Sequence, residues 1–240
     1  MGEAKKRGSF EERKKQALHN QRMPLYRFFE HEHHAQALME GKIWVGTLKK
    51  CREFECPQQG DSYEATSIYR PSLNISNRIV TEEDYETAKH FRIVGFLPPP
   101  GYHYPGTLII NESSLMDEIP NGYLLCTTND PDSIKQESEK WKYGVRINLH
   151  PNKLFEIISN GFLKKDINIS NCKHDKAIYD DSKRIYSDYR LAPDHLAFIK
   201  PEKHAAQSEY RFFWEAEHKH FYEDGIELNC PELKPYLERV

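Results

Sequence analysis

Two charged residues stand where apolar ones are expected. Arg27 lies between Tyr26 and Phe28 in the run Leu25-Tyr26-Arg27-Phe28-Phe29, and Glu209 opens Glu209-Tyr210-Arg211-Phe212-Phe213-Trp214. A charge inside an aromatic strand costs several kcal/mol unless a partner or a solvated cleft compensates it. Period-two alternation offers the plain explanation, that both side chains turn to the outer face. The chemical explanation needs both at one cleft. Other groups suit different chemistry. His31, His33 and His34 with Glu30 and Glu32 carry metal-ligating atoms, but only His31 and His34 share a helical face, so a solvated helix start is expected. Cys51 and Cys56 lack the second pair that a zinc site requires. Asp61, Glu64, Asp180 and Asp181 have the residue types of a metal-dependent nuclease, with nothing in their spacing to bring them together.

The elements that must position these residues are short. Leu25 to Phe29 reads as a strand and Glu30 to Glu40 as a helix ended by Gly41. Ile43-Trp44-Val45 reads as the next strand. The early strand and the strand at 209 to 215 are expected to be neighbours in the core. Residues 54 to 74 read as irregular, 82 to 90 as a helix and Phe91 to Leu97 as a strand. The stretch from Pro98 to Gly106 reads as a loop because proline removes donors and fixes φ. Strands are expected at 107 to 110, 123 to 127, 144 to 149 and 196 to 199, with a helix near Pro151 to Ser159 that has proline in its first turn. Short strands with few, short helices indicate an α+β fold of mixed, mostly antiparallel sheets.

Residues 1 to 22 form a charged arm, where Ser9 and Glu12 have the spacing of a capping box and few apolar residues anchor the segment. This basic arm is a candidate for docking a partner. The rest, 23 to 240, is expected to be a single domain, since 240 residues suit one core. The 14 Tyr and 12 Phe offset the modest 38% hydrophobic content. A net charge of −3 excludes a global field for nucleic acid, so any such contact must be local. Five scattered cysteines argue against a disulfide framework and for a reducing, cytoplasmic setting. No apolar run approaches the roughly 18 residues of a membrane span.

The succession Leu25-Tyr26-Arg27, Gly41-Lys42-Ile43-Trp44, Leu125-Cys126-Thr127-Thr128, Trp141-x-Tyr143-Gly144-Val145, Phe198-Ile199-Lys200 and Glu209-Tyr210-Arg211 resembles a widespread family of uncharacterised bacterial proteins often carried by prophages. The same order resembles the skeleton of ADP-ribosyltransferases, with their split sheet. From the spacing of the His, Cys and acidic residues no metal is expected; the resemblance implies NAD as co-substrate. It implies an anion grip at Arg27, ribose contacts at Thr127 and Thr128, and stacking by Tyr26, Trp141 or Tyr143. It further implies a catalytic Glu209, with Gln207 two residues before it as in variants that modify amide, thiol or base targets. Cys126-Thr127-Thr128 departs from the common Ser-Thr-Ser. The implied activity is modification of a protein or nucleic acid, with a role in phage–host conflict. The alternative is a non-catalytic binding module, such as an inhibitor or antitoxin-like partner.

Overall fold

The computed structural model describes residues 24–53, 65–111, 114–132, 140–187, 195–217 and 221–240. The expected arm at 1–22, together with Cys56, Asp61 and Glu64, lies outside them. In chain order the elements begin with β1 (Leu25–Phe29), α1 (Glu32–Met39), β2 (Lys42–Thr47) and α2 (Leu48–Glu53). Next come β3 (Thr66–Tyr69), β4 (Leu73–Ile79), α3 (Glu82–His90), β5 (His103–Ile110) and β6 (Leu115–Glu118). β7 (Tyr123–Thr128), β8 (Tyr143–Ile147), α4 (Pro151–Leu163) and β9 (Ile169–Lys176) follow. The last are β10 (Ile178–Tyr179), β11 (Ile185–Tyr186), β12 (Ile199–Lys200), β13 (Glu209–Ala216), β14 (Ile226–Asn229) and β15 (Leu237–Arg239). The fold is α+β with mostly antiparallel sheets; β3 and β11 pair in parallel.

The chain divides into two compact units. The first comprises Met1–Glu64, Pro120–Ile178 and Lys203–Val240, and the second Ala65–Ile119 and Tyr179–Glu202.

The first unit is built on an eight-stranded sheet. Its strands run β14-β2-β7-β1-β8-β15, with β13 also bonded to β7 and β9 bonded to β13. β1 and β13 are therefore not direct neighbours, because β7 lies between them. Alternation sends Tyr210, Phe212 and Trp214 to one face, where they join Tyr123, Leu125, Val145 and Ile147 in the core. α4 covers that face. Leu154, Ile157, Ile158 and Phe162 form its buried stripe, Pro151 starts it, and His150 Nδ1 caps it by accepting from Asn152 N at 3.2 Å. Phe155 stacks on Trp214 at 5.3 Å, and Trp214 Nε1 donates to Ser159 Oγ at 2.9 Å. Each large side chain so buried contributes on the order of 1.5–3 kcal/mol. Gly41 ends α1 with φ +80°, and a Cβ there would lie 2.9 Å from the Cys230 carbonyl oxygen.

β7 shares one of its edges between two strands. Gly46 and Thr47 of β2 pair with Leu124 and Tyr123, whereas Tyr26 of β1 pairs with Thr128. Among the described residues, Leu125, Cys126 and Thr127 make no ladder pair with β1 or β2, while their other edge pairs continuously with β13. The sheet forks there.

The second unit has a smaller core of Leu73, Ile75, Val80, Ala88 and Leu97 beneath the β4–β5 pair and α3. Here several sequence expectations fail. Phe91 to Leu97 is a turn and a 3₁₀ segment over Val94–Phe96, because Arg92 adopts φ +58° and cannot continue an extended chain. Part of the stretch expected to be irregular is β3, which gains partners distant in sequence in β6 and β11. β5 includes Pro105 and Gly106. Its register with β4 shifts between Ser76 and Arg78, so proline sits where the ladder is already interrupted. The strand expected at 196 to 199 is a 3₁₀ segment over Leu196–Phe198, leaving only Ile199–Lys200 extended.

Candidate functional site

Arg27 is the first β1 residue beyond the last pair with β7, so it stands at the fork. It faces the same side as its partner Val145, which is fully buried, and is itself half-buried. Its guanidinium leans over the Phe29 ring at 5.4 Å. The Arg27 side chain makes no hydrogen bond or ion pair among the described residues. Burial pushes its pKa down to about 10, with nearby Cys126 acting in the opposite sense. An unneutralised, partly desolvated guanidinium is an anion-binding group.

Glu209 lies across β7 from the fork. β7 is flanked by Tyr26 and Glu209, both opposite Thr128, which puts the three in one row about 10 Å across at ordinary strand spacing. Alternation turns this row to the face opposite Arg27 and Thr127. The Glu209 side chain is 13% exposed, and its Oε2 accepts from Arg211 Nε at 2.7 Å. Ser208, just before it, holds φ +45°, a left-handed conformation that non-glycine residues rarely adopt.

The hydroxyls expected to meet a ribose are engaged within the protein. Thr127 Oγ1 donates to the Tyr210 carbonyl at 3.0 Å. Thr128, wholly buried, accepts from Asp130 N at 3.0 Å. Its single proton faces the carbonyls of Gln207 at 2.9 Å and of Asp130 and Ser208 at 3.2 Å each. Its one proton is committed within the protein. Gln207 is buried, with its Nε2 3.4 Å from His204 Nδ1. The structure thus joins Tyr26, Thr128, Gln207 and Glu209 at the end of β7, and sets Arg27 and Thr127 on the other face.

Tyr143 is opposite Phe29 on β8, and Arg239 lies over its ring at 5.8 Å. It lines an open recess of about 530 Å³ with Glu30, His31, Glu32, His33 and Gln36. Trp141 is half-buried in the segment before β8. His31, His33 and His34 are exposed, with ring centroids 4.1 to 5.7 Å apart. The His34 pKa is lowered by burial and then by the charges of His33, His31 and Arg27. Among the described residues no group of His, Cys, Asp or Glu is arranged to hold a metal ion. Likewise, no helix there is long and apolar enough to cross a membrane.

Sequence reasoning missed Arg211 as part of this site, although its place two residues after Glu209 puts it on the same strand face. It also missed the left-handed Ser208, which a non-glycine residue does not announce. No protein-family model matches the chain, and no curated protein or solved structure matches it.

Proposed function

We propose that this protein is an NAD-dependent ADP-ribosyltransferase-like enzyme that modifies a protein or nucleic-acid target. The observation that carries the reading is the Arg27 guanidinium, unpaired among the described residues, at a fork of the sheet; Glu209 lies one strand away on the opposite face, so a bound NAD would have to pass through the fork to meet both. Three adjacent strands, β1, β7 and β13, hold the arginine, the hydroxyl-bearing strand end and the late glutamate. This supports the split-sheet resemblance.

In this reading Arg27 binds the NAD pyrophosphate through charge-assisted hydrogen bonds. The bond between nicotinamide and ribose C1′ breaks, nicotinamide leaves with the bonding pair as a neutral ring, and C1′ becomes cationic. Glu209 stabilises that cation and accepts from a ribose hydroxyl. A nucleophile of the target then attacks C1′ and loses its proton. Tyr26 shares the Glu209 row and offers a ring near the reacting sugar, while Tyr143 offers one at the recess. Thr127 and Thr128 support the strand end through main-chain bonds. Gln207 is turned toward His204, so the reading rests on Arg27 and Glu209.

Nicotinamide release and transfer of label from NAD test it, with proteins, RNA and DNA as acceptors. Glu209→Ala is expected to lower the rate by about 10²-fold or more. Arg27→Gln is expected to raise KM for NAD while leaving thermal stability near wild type. Identical traces for wild type and Glu209→Ala across all acceptors overturn the assignment.

One observation favours a second reading, a non-catalytic binding module. The Glu209–Arg211 pair, with the arginine buried and the glutamate partly so, has the form of a structural ion pair. A stoichiometric partner that binds Arg27→Ala and Glu209→Ala as tightly as wild type would favour that alternative.

A further inference from the structure

Arg211 is 1% exposed and among the largest wholly buried side chains of the molecule. It lies opposite Cys126 on β7 and Asp175 on β9, on the sheet face away from the Tyr210-Phe212-Trp214 core. A guanidinium in such a place is costly to desolvate, and an apolar residue of similar volume would satisfy packing alone. Its Nε bonds Glu209 Oε2 at 2.7 Å, in the charge-assisted and directional geometry that fixes a carboxylate in orientation.

The chain before Glu209 is fixed as well. Ser208 is held in its left-handed turn, and the carbonyls of Gln207 and Ser208 lie within bonding distance of the buried Thr128 hydroxyl. The carboxylate is thus set from two sides, by main chain on one and by Arg211 on the other. Rigid support of this kind is what a reacting carboxylate requires, since a displacement of about 1 Å costs on the order of 10²-fold in rate.

We propose that Arg211 is a positioning residue: it holds the Glu209 carboxylate in a single orientation in the Tyr26–Thr128–Glu209 row, where the ribose cation would be stabilised. The chemistry rests on the transferase reading; the positioning does not. Two readouts separate them: kcat and KM for nicotinamide release from NAD, and amide hydrogen exchange over residues 204–212. Arg211→Gln is expected to lower kcat by about 10²-fold with KM for NAD within about threefold. Arg211→Lys, which retains a cationic donor, should recover at least about tenfold of that loss. Exchange over 204–212 should quicken in Arg211→Gln and less so in Arg211→Lys, while 24–29 and 143–147 stay protected.

A wild-type kcat in Arg211→Gln overturns the proposal, as does Arg211→Lys no better than Arg211→Gln. Protection lost equally over 24–29 and 143–147 assigns Arg211 to global stability and also overturns it. If Arg211→Gln does not fold, Arg211→Lys alone decides by its kcat and its exchange over 204–212. A wild type that releases no nicotinamide removes the transferase reading; the positioning then stands or falls on whether exchange over 204–212 responds to Arg211→Gln.

Discussion

Thr128 has one hydroxyl proton, three carbonyls around it and an amide donating to it. Thr128→Val removes that donor and acceptor from a wholly buried position, leaving main-chain groups unsatisfied. The expected cost is about 1–3 kcal/mol in urea unfolding, with Thr128→Ser closer to wild type. This role was not legible in Cys126-Thr127-Thr128, because the partners at Gln207 and Tyr210 are 79 and 83 residues away. Arg27 and Glu209 were legible as anomalies, since a charge in an aromatic strand calls for an explanation wherever the strand lies. Which face each would take was not, because that depends on the β7 register.

The helix at 82–90 was readable in full because its signals are local. Thr81 and Asp84 form a reciprocal capping box, three acidic residues occupy its first turn, and Lys89 and His90 its last. Arg78 adds a two-pronged bond to the Asp84 carboxylate at 2.6 and 2.8 Å. Burial alone would raise the Asp84 pKa, but the bonds from Arg78 and Thr81 outweigh it and the net direction is down. A carboxylate depressed in the folded state stabilises fully above its unfolded value near 4, and that contribution is lost as pH falls through the folded value. Asp84→Asn should therefore lower stability at pH 7 and flatten the acid limb of a urea-midpoint profile below about pH 4. β9, by contrast, was invisible. Its Ser170-Asn171-Cys172-Lys173-His174-Asp175-Lys176 sequence lacks apolar alternation, and pairing with β13 alone makes it a strand.

Across the whole molecule, acid should weaken the fold in two steps. The upper one comes from His174, packed against Phe155 and Phe212 with its Nδ1 2.8 Å from the Tyr210 hydroxyl. Burial lowers its pKa, and Asp175 only partly opposes this. A histidine depressed in the folded state contributes stability above its unfolded value near 6.5, and loses it as pH falls from there through the folded value. Thermal midpoints should drop between pH 7.5 and 5, and His174→Phe should reduce that slope. The fold class was readable at this scale because short strands and short helices leave few arrangements. The strand order was not, since it depends on pairings between segments nearly two hundred residues apart.

The central place of β13 also sets a timetable for synthesis. β1, β7 and β8 emerge before β13, and the strand that bonds the long edge of β7 begins only at residue 209. A nascent chain that has passed α4 therefore carries Arg27 and the fork with no Glu209 beside them and with an open edge along β7. Such an edge invites pairing with another chain. Chains that stop short of residue 209 are thus expected to be prone to such pairing, and they lack the carboxylate as well as the strand that carries it.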